Sequence, residues 1–248
     1  MKTHIYLIRH GESFANVENI FAGMRSDTGL TLLGVTQAER LRDRLAATGE
    51  IVADALIAST LRRAMQTAEI VAPALGLDII PDDDFHELRV GEADGLRLSE
   101  YIERYGPIRD FREEPYYPLA PGGESWGGFL TRVGDALHRI TREYEGKTVA
   151  IVCHGGVVDA SLLIGLGMVA IAPAVGQFHT HNTSITEWER GLLTAASRTQ
   201  RWRLIRYNDD LHIRDIGAAE RFQWTRVSPI HPEGAPAAPL PTEEDDQA

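Results

Sequence analysis

Cysteine occurs once in the 248 residues, at Cys153, so no disulfide can form within the chain and nothing points to an oxidising compartment. Positive charge is scarce: 25 Lys and Arg stand against 36 Asp and Glu, a formal net charge of −11. Such a chain repels nucleic acid and anionic lipid, and neither is expected as a partner. It also repels phosphorylated molecules, so any phosphate pocket must gather Arg and His locally. Long apolar runs are missing. The run 5–8, just behind Met1-Lys2-Thr3-His4, is too short for a signal peptide core or a bilayer span, and no longer run reaches that length. The expected location is the cytoplasm. No internal repeat is visible.

What is present is a hydrophobic fraction of 43%, enough for one sizeable core, in short apolar runs that alternate with amphipathic stretches. This pattern predicts an α/β domain: a mostly parallel central sheet with helices on both faces. Strands are expected at about 3–9, 55–58, 78–81, 148–153, 184–189 and 202–207. Helices are expected from Thr31 to near Gly49, from Thr60 to about Leu75 with Pro73 obstructing the last turn, from Ser125 to Tyr144, and from Gly155 to about Leu166. The stretch holding Asn16, Asn19, Gly23, Asp27 and Gly29 reads as irregular. Residues 96–123, rich in Arg, Glu, Tyr and Pro, read as a small helical and loop insert over one end of the sheet. The domain is expected to span residues 1–227. The stretch 228–248 has five prolines and an acidic end, and reads as a tail without chemistry.

Chemistry-bearing residues collect where strands end, the place open α/β sheets bind ligands. They are Arg9-His10-Gly11-Glu12-Ser13, Ser59-Thr60-Leu61-Arg62-Arg63-Ala64, His86-Glu87 and His154-Gly155-Gly156. Two histidines, His10 and His154, each end a strand and precede glycine. Gly11 is expected to let the backbone turn away so that the His10 ring faces a pocket. Three other patterns compete. Gly123-Glu124-Ser125-Trp126-Gly127 matches the nucleophile elbow of serine hydrolases, but no apolar strand precedes it, and Ser125 reads better as a helix N-cap. Cys153 lacks the following arginine that a cysteine phosphatase loop needs. His179 and His181 lack further zinc ligands, so no metal is expected.

These motifs, with Asn16, with Gln66-Thr67-Ala68, with Val90-Gly91 and Asp94-Gly95 after Glu87, with Gly122-Gly123-Glu124-Ser125 and with Asn182-Thr183-Ser184, together resemble the histidine phosphatase superfamily, the phosphoglycerate-mutase-like family. The resemblance implies that His10 attacks phosphorus to give a phosphohistidine, which water then hydrolyses. Arg9, Arg63 and His154 would bind the non-bridging oxygens and Glu87 would handle the proton. Arg63, directly before Ala64, fits the family pattern; Arg62 would stand at the rim. Asn16, the N–H of Gly155 and nearby Glu124 would complete the phosphate site. Substrate choice would lie in Phe21 to Arg25, including Gly23, and in the insert, and the aromatics Phe21, Tyr116, Tyr117 and Trp126 either line a pocket or pack. The implied substrate is a small phosphorylated metabolite, with no cofactor and with a homodimer as the possible assembly. Three activities fit the resemblance: a phosphatase, a cofactor-dependent phosphoglycerate mutase, and a catalytically idle phospho-ligand binder. The insert favours the first, because Arg97, Arg104, Arg109 and Arg112 include no adjacent arginine pair to grip a substrate carboxylate.

Overall fold

In a computed structural model, residues 2–108, 114–168, 178–192 and 199–216 are described. Arg109, Arg112 and the tail lie outside them, as does the boundary expected near residue 228. Six strands form one sheet: β1 (Thr3–Arg9), β2 (Ala55–Ala58), β3 (Ile79–Pro81), β4 (Thr148–Cys153), β5 (Ile185–Leu192) and β6 (Gln200–Asp209). The spatial order is β3-β2-β4-β1-β5-β6. β3, β2, β4 and β1 are mutually parallel, while β5 runs antiparallel to β1 and β6 antiparallel to β5.

Helices cover both faces because the strand residues alternate between them. Ile5 and Leu7 of β1, with Ile57, Val149 and Ile151, face α5 (Trp126–Glu143) and α6 (Gly155–Gly165) through Phe129, Val133, Leu137, Ile140 and Val157. Tyr6, Ile8, Leu56 and Val152 face α2 (Leu32–Thr48) and α3 (Arg62–Leu75) through Leu41, Leu45, Ala64, Ala68 and Val71.

Several boundaries follow from caps. Thr31 Oγ1 accepts from Gly34 N at 3.0 Å to open α2, and Ser125 Oγ accepts from Gly128 N at 3.1 Å to open α5. Pro73 does not end α3. It falls in the final turn, and Gly76, in the left-handed region at φ 66°, closes the helix. The stretch expected to be irregular after β1 contains a short helix, α1 (Phe14–Glu18), because the Asn16 side chain bonds back to the Ser13 backbone amide. β5 and β6 are both longer than the sequence pattern indicates. Their antiparallel pairing holds the polar ends that the apolar pattern misses.

The insert carries one described helix, α4 (Leu98–Tyr105), and its own small core. Phe21, Val90, Ala93, Tyr101, Leu119 and Ala120 are buried there. Phe21 is 3% exposed, with its ring 5.0 Å from that of Tyr101. Of the two readings of Phe21, pocket lining or packing, the buried ring corrects the first and fits the second: it anchors the insert to the loop after β1, the apolar contact an otherwise polar segment needs in order to pack.

Candidate active site

β1, β4 and β2 lie side by side and end level, so the residues that follow them meet. In register, Arg9 pairs with Cys153 and Ala58 with Val152. His10 N donates to Cys153 O at 2.9 Å and Ser59 N to Val152 O at 3.0 Å. This places His10, His154 and Ser59 in a row at the carboxyl edge, with the two imidazole centroids 5.1 Å apart.

The Nδ1 of His10 lies 2.6 Å from the carbonyl of Gly11. A carbonyl only accepts, so Nδ1 carries the proton and Nε2 keeps its lone pair. Arg63 Nε donates to that Nε2 at 3.2 Å. Burial, then Arg63, then Arg9 push the His10 pKa well below its ordinary value against the Gly11 bond, and burial and Arg63 do the same for His154. Burial therefore leads over the arginines in keeping His10 neutral. Gly11 is required for another reason than the one the sequence suggests. Its φ is not positive; a Cβ there would overlap the carbonyl of Gly34 at the start of α2. Close approach of two backbones, reciprocated at Gly34 against Glu12 O, locks the loop.

Arg9 and Arg63 are 3% and 4% exposed. Arg9 donates through Nη1 to Thr180 O. Arg63 donates through Nη1 to Ala22 O at 3.2 Å and to Asp27 Oδ2 at 2.9 Å, and the Arg63 amide meets the same oxygen at 3.2 Å. Arg62 is exposed. Glu87 reaches the site from the segment after β3. Its Oε2 accepts from Gly156 N at 3.0 Å and its Oε1 from Leu88 N at 2.9 Å. The amide of Gly155 is one of the first-turn donors that α6 leaves without an intrahelical acceptor.

Glu124, expected at the phosphate site, and Gly23, expected in the segment that sets substrate choice, both bond to neighbouring residues. Glu124 accepts a two-pronged bond from Arg132, at 2.8 and 2.6 Å, and another from Arg89 N at 3.2 Å. Burial alone would raise its pKa, but these bonds outweigh it and hold the carboxyl below the usual value. Gly23 donates its amide to Asp94 Oδ1 at 3.0 Å, which also takes the hydroxyl of Ser26. Asn16 uses Oδ1 to accept from Ser13, leaving its amide nitrogen as the available end. Trp126 packs on Phe129 with centroids 5.3 Å apart, while Tyr116 and Tyr117 are 71% and 51% exposed.

Sequence reasoning named Ser59 in its motif and Asp27 in the irregular stretch without giving either a role, and it passed over Arg132. Asp27 is a turn-type residue 36 positions before its partner, and Arg132 sits mid-helix. Arg132 ties α5 to the carbonyls of Asp84, His86 and Glu87 at 2.8, 3.1 and 3.4 Å, fixing the segment that carries Glu87. His181 bonds Asp210 at 2.6 Å instead of standing open beside His179.

Residues 5–210 match the family model described as histidine phosphatase superfamily (branch 1). The bifunctional protein Rv2228c of Mycobacterium tuberculosis is 33% identical over 184 residues, covering 74% of this chain and 49% of that protein. The chain thus spans about half the length of the first of the curated relatives it matches. A metal-independent phosphoserine phosphatase of Arabidopsis thaliana is 28% identical over 222 residues, 88% of this chain and 87% of that one. Among solved structures, mycobacterial glucosyl-3-phosphoglycerate phosphatase Rv2419c superposes with a TM-score of 0.68 at 26% identity, covering 83% of this chain and 99% of that chain. With two buried imidazoles and two buried arginines at the ends of its parallel strands, and a family match spanning nearly all the described residues, the chain belongs to the histidine phosphatase superfamily, branch 1.

Proposed function

We propose that this chain is a cytoplasmic phosphatase that hydrolyses phosphomonoesters of a small metabolite. The observation that carries this reading is the buried, neutral His10, its Nδ1 anchored on Gly11 O and its Nε2 facing Arg63.

In the first step Nε2 attacks phosphorus, the N–P bond forms and the bond to the leaving oxygen breaks. Arg63 gives up its bond to Nε2 and turns its donors to the phosphoryl oxygens, alongside Arg9, His154, the Asn16 amide and Gly155 N–H. Glu87 delivers a proton to the leaving oxygen. In the second step water attacks phosphorus, passes its proton to Glu87, and the N–P bond breaks, restoring neutral His10. Transfer of this kind needs positioning and cations more than covalent chemistry. The metal-independent phosphoserine phosphatase and the glucosyl-3-phosphoglycerate phosphatase among its relatives suggest phosphorylated small acids and sugar acids as first substrates.

The test is a panel of phosphomonoesters with and without 2,3-bisphosphoglycerate. Phosphate release without the bisphosphate, and no isomerisation of 3-phosphoglycerate with it, is the expected result. Isomerisation would replace this reading with the mutase. His10→Ala should abolish both turnover and the acid-labile phosphate trapped on quenching. Size-exclusion chromatography should show a homodimer if the expected assembly forms.

A further inference from the structure

We infer that Ser59 selects the ring tautomer of His154, so that His154 offers Nδ1–H to a phosphoryl oxygen. The inference rests on the phosphatase reading for its purpose, but its geometry stands apart from it.

Ser59 is 0% exposed and directly follows β2, which lies beside β4. Its Oγ lies 2.8 Å from His154 Nε2 and accepts from Leu61 N at 3.4 Å, at the start of α3. The hydroxyl must also place its own proton. Among the described residues its one acceptor is His154 Nε2. If Nε2 carried the ring proton, the Ser59 proton would be buried with nowhere to go, and Nδ1 would be a second buried atom without a partner. If Ser59 donates to Nε2, the ring proton sits on Nδ1. One buried polar atom then remains unmatched, and it is a donor.

That atom is observed. His154 Nδ1 is buried and has no partner among the described residues. Native proteins rarely leave such a group unmatched without use for it. The His154 ring is 5.1 Å from that of His10, where the phosphoryl group would sit. An Nδ1–H there completes its hydrogen bond only when a phosphoryl oxygen arrives. A bare Nδ1 lone pair would instead repel that oxygen. The chain of donors runs from the Leu61 amide to Ser59, from Ser59 to Nε2, and from Nδ1 to the ligand. Ser59 is therefore a positioning residue acting through His154. It lets a neutral imidazole donate in a pocket where burial and two arginines disfavour the charged form.

The experiment is a long-range proton–nitrogen correlation spectrum of the whole chain with 15N-labelled histidine, the His154 signals assigned by their loss in His154→Gln. The expected pattern is a protonated Nδ1 and an unprotonated Nε2. The reverse pattern would overturn the inference, and either result is read whether or not the chain turns over phosphoesters. Ser59→Ala should convert the single pattern to an averaged one and lower kcat by about 10- to 100-fold, with KM and the denaturation midpoint little changed. Ser59→Thr, which keeps the hydroxyl, should restore both readouts. A Ser59→Ala variant that folds and keeps both the Nδ1–H pattern and full kcat would also overturn it.

Discussion

Arg63 is where the charges of the site converge. Its guanidinium is shared between an acceptor nitrogen on His10 and the carboxylate of Asp27, whose side chain is 2% exposed. Asp27 also accepts the Arg63 amide, so one carboxylate fixes both ends of the residue. A buried cation that loses its anion is costly, roughly 3 kcal/mol when one partner of such a pair is removed. Asp27→Asn should therefore lower the denaturation free energy by about that much. It should also cut kcat/KM by at least tenfold, because Arg63 no longer has a fixed direction. Urea titration and steady-state kinetics would measure the two effects, and unchanged kinetics would show that Asp27 serves folding alone. Of the residues in this paragraph, Arg63 and His10 are legible from their neighbours in sequence. Asp27 is not, because the contact that gives it meaning closes a loop of 36 residues.

Two helices touch the site through glycines, and there ordinary helix propensity gives the wrong sign. Gly→Ala inside a helix usually adds stability, on the order of 1 kcal/mol. Gly34 lies in α2, yet a Cβ there would overlap the carbonyl of Glu12 in the loop that carries His10. Gly34→Ala should destabilise by about 1–3 kcal/mol, the usual cost of overpacking, and should lower kcat by displacing His10. Gly156 lies in the first turn of α6, and a Cβ there would overlap the Glu87 carboxylate. Gly156→Ala should lower kcat more than it lowers stability, since Glu87 can swing away from the helix while the core beneath α6 stays packed. A differential denaturation and kinetic comparison of both variants checks these signs. The helices themselves could be placed from sequence periodicity and caps, but which of their glycines are squeezed against the active-site loops could not.

At the scale of the whole molecule, two sets of titrating groups answer pH in different windows. His10, His86, His154 and His212 all have pKa values lowered, each with burial as the leading cause, and His212 is brought to about 4. Unfolding restores their ordinary value of 6.5, so below that pH the unfolded chain binds more protons than the folded one. Stability should therefore fall as pH drops from about 6.5 towards 4. Asp209 and Glu50, paired with Arg44 and Arg206, have lowered pKa values and lose their contribution only at lower pH. A guanidinium chloride midpoint that is lower at pH 5 than at pH 7 is expected, and a flat profile would contradict the burial of these rings. The same network reaches the site from behind. His212 Nε2 lies 3.0 Å from Thr183 Oγ1, and the Thr183 amide donates to Arg9 O at 3.0 Å.

Local information in the sequence determined the strands, the main helices, their caps and the group of residues ending β1, β2 and β4, because apolar periodicity and capping chemistry act over a few residues. It also singled out His10, Arg9 and Arg63, since these lie in contiguous motifs at strand ends, and their expected roles came from the resemblance those motifs carry. Tertiary structure decided the rest. It committed Gly23 and Glu124 to neighbours, buried Phe21, assigned Gly11 to a close approach, and joined Ser59 to His154 across 95 positions. The physical reason is that hydrogen-bond partners and excluded volume are set by which strands lie adjacent, and adjacency is a property of the folded sheet that no single segment carries.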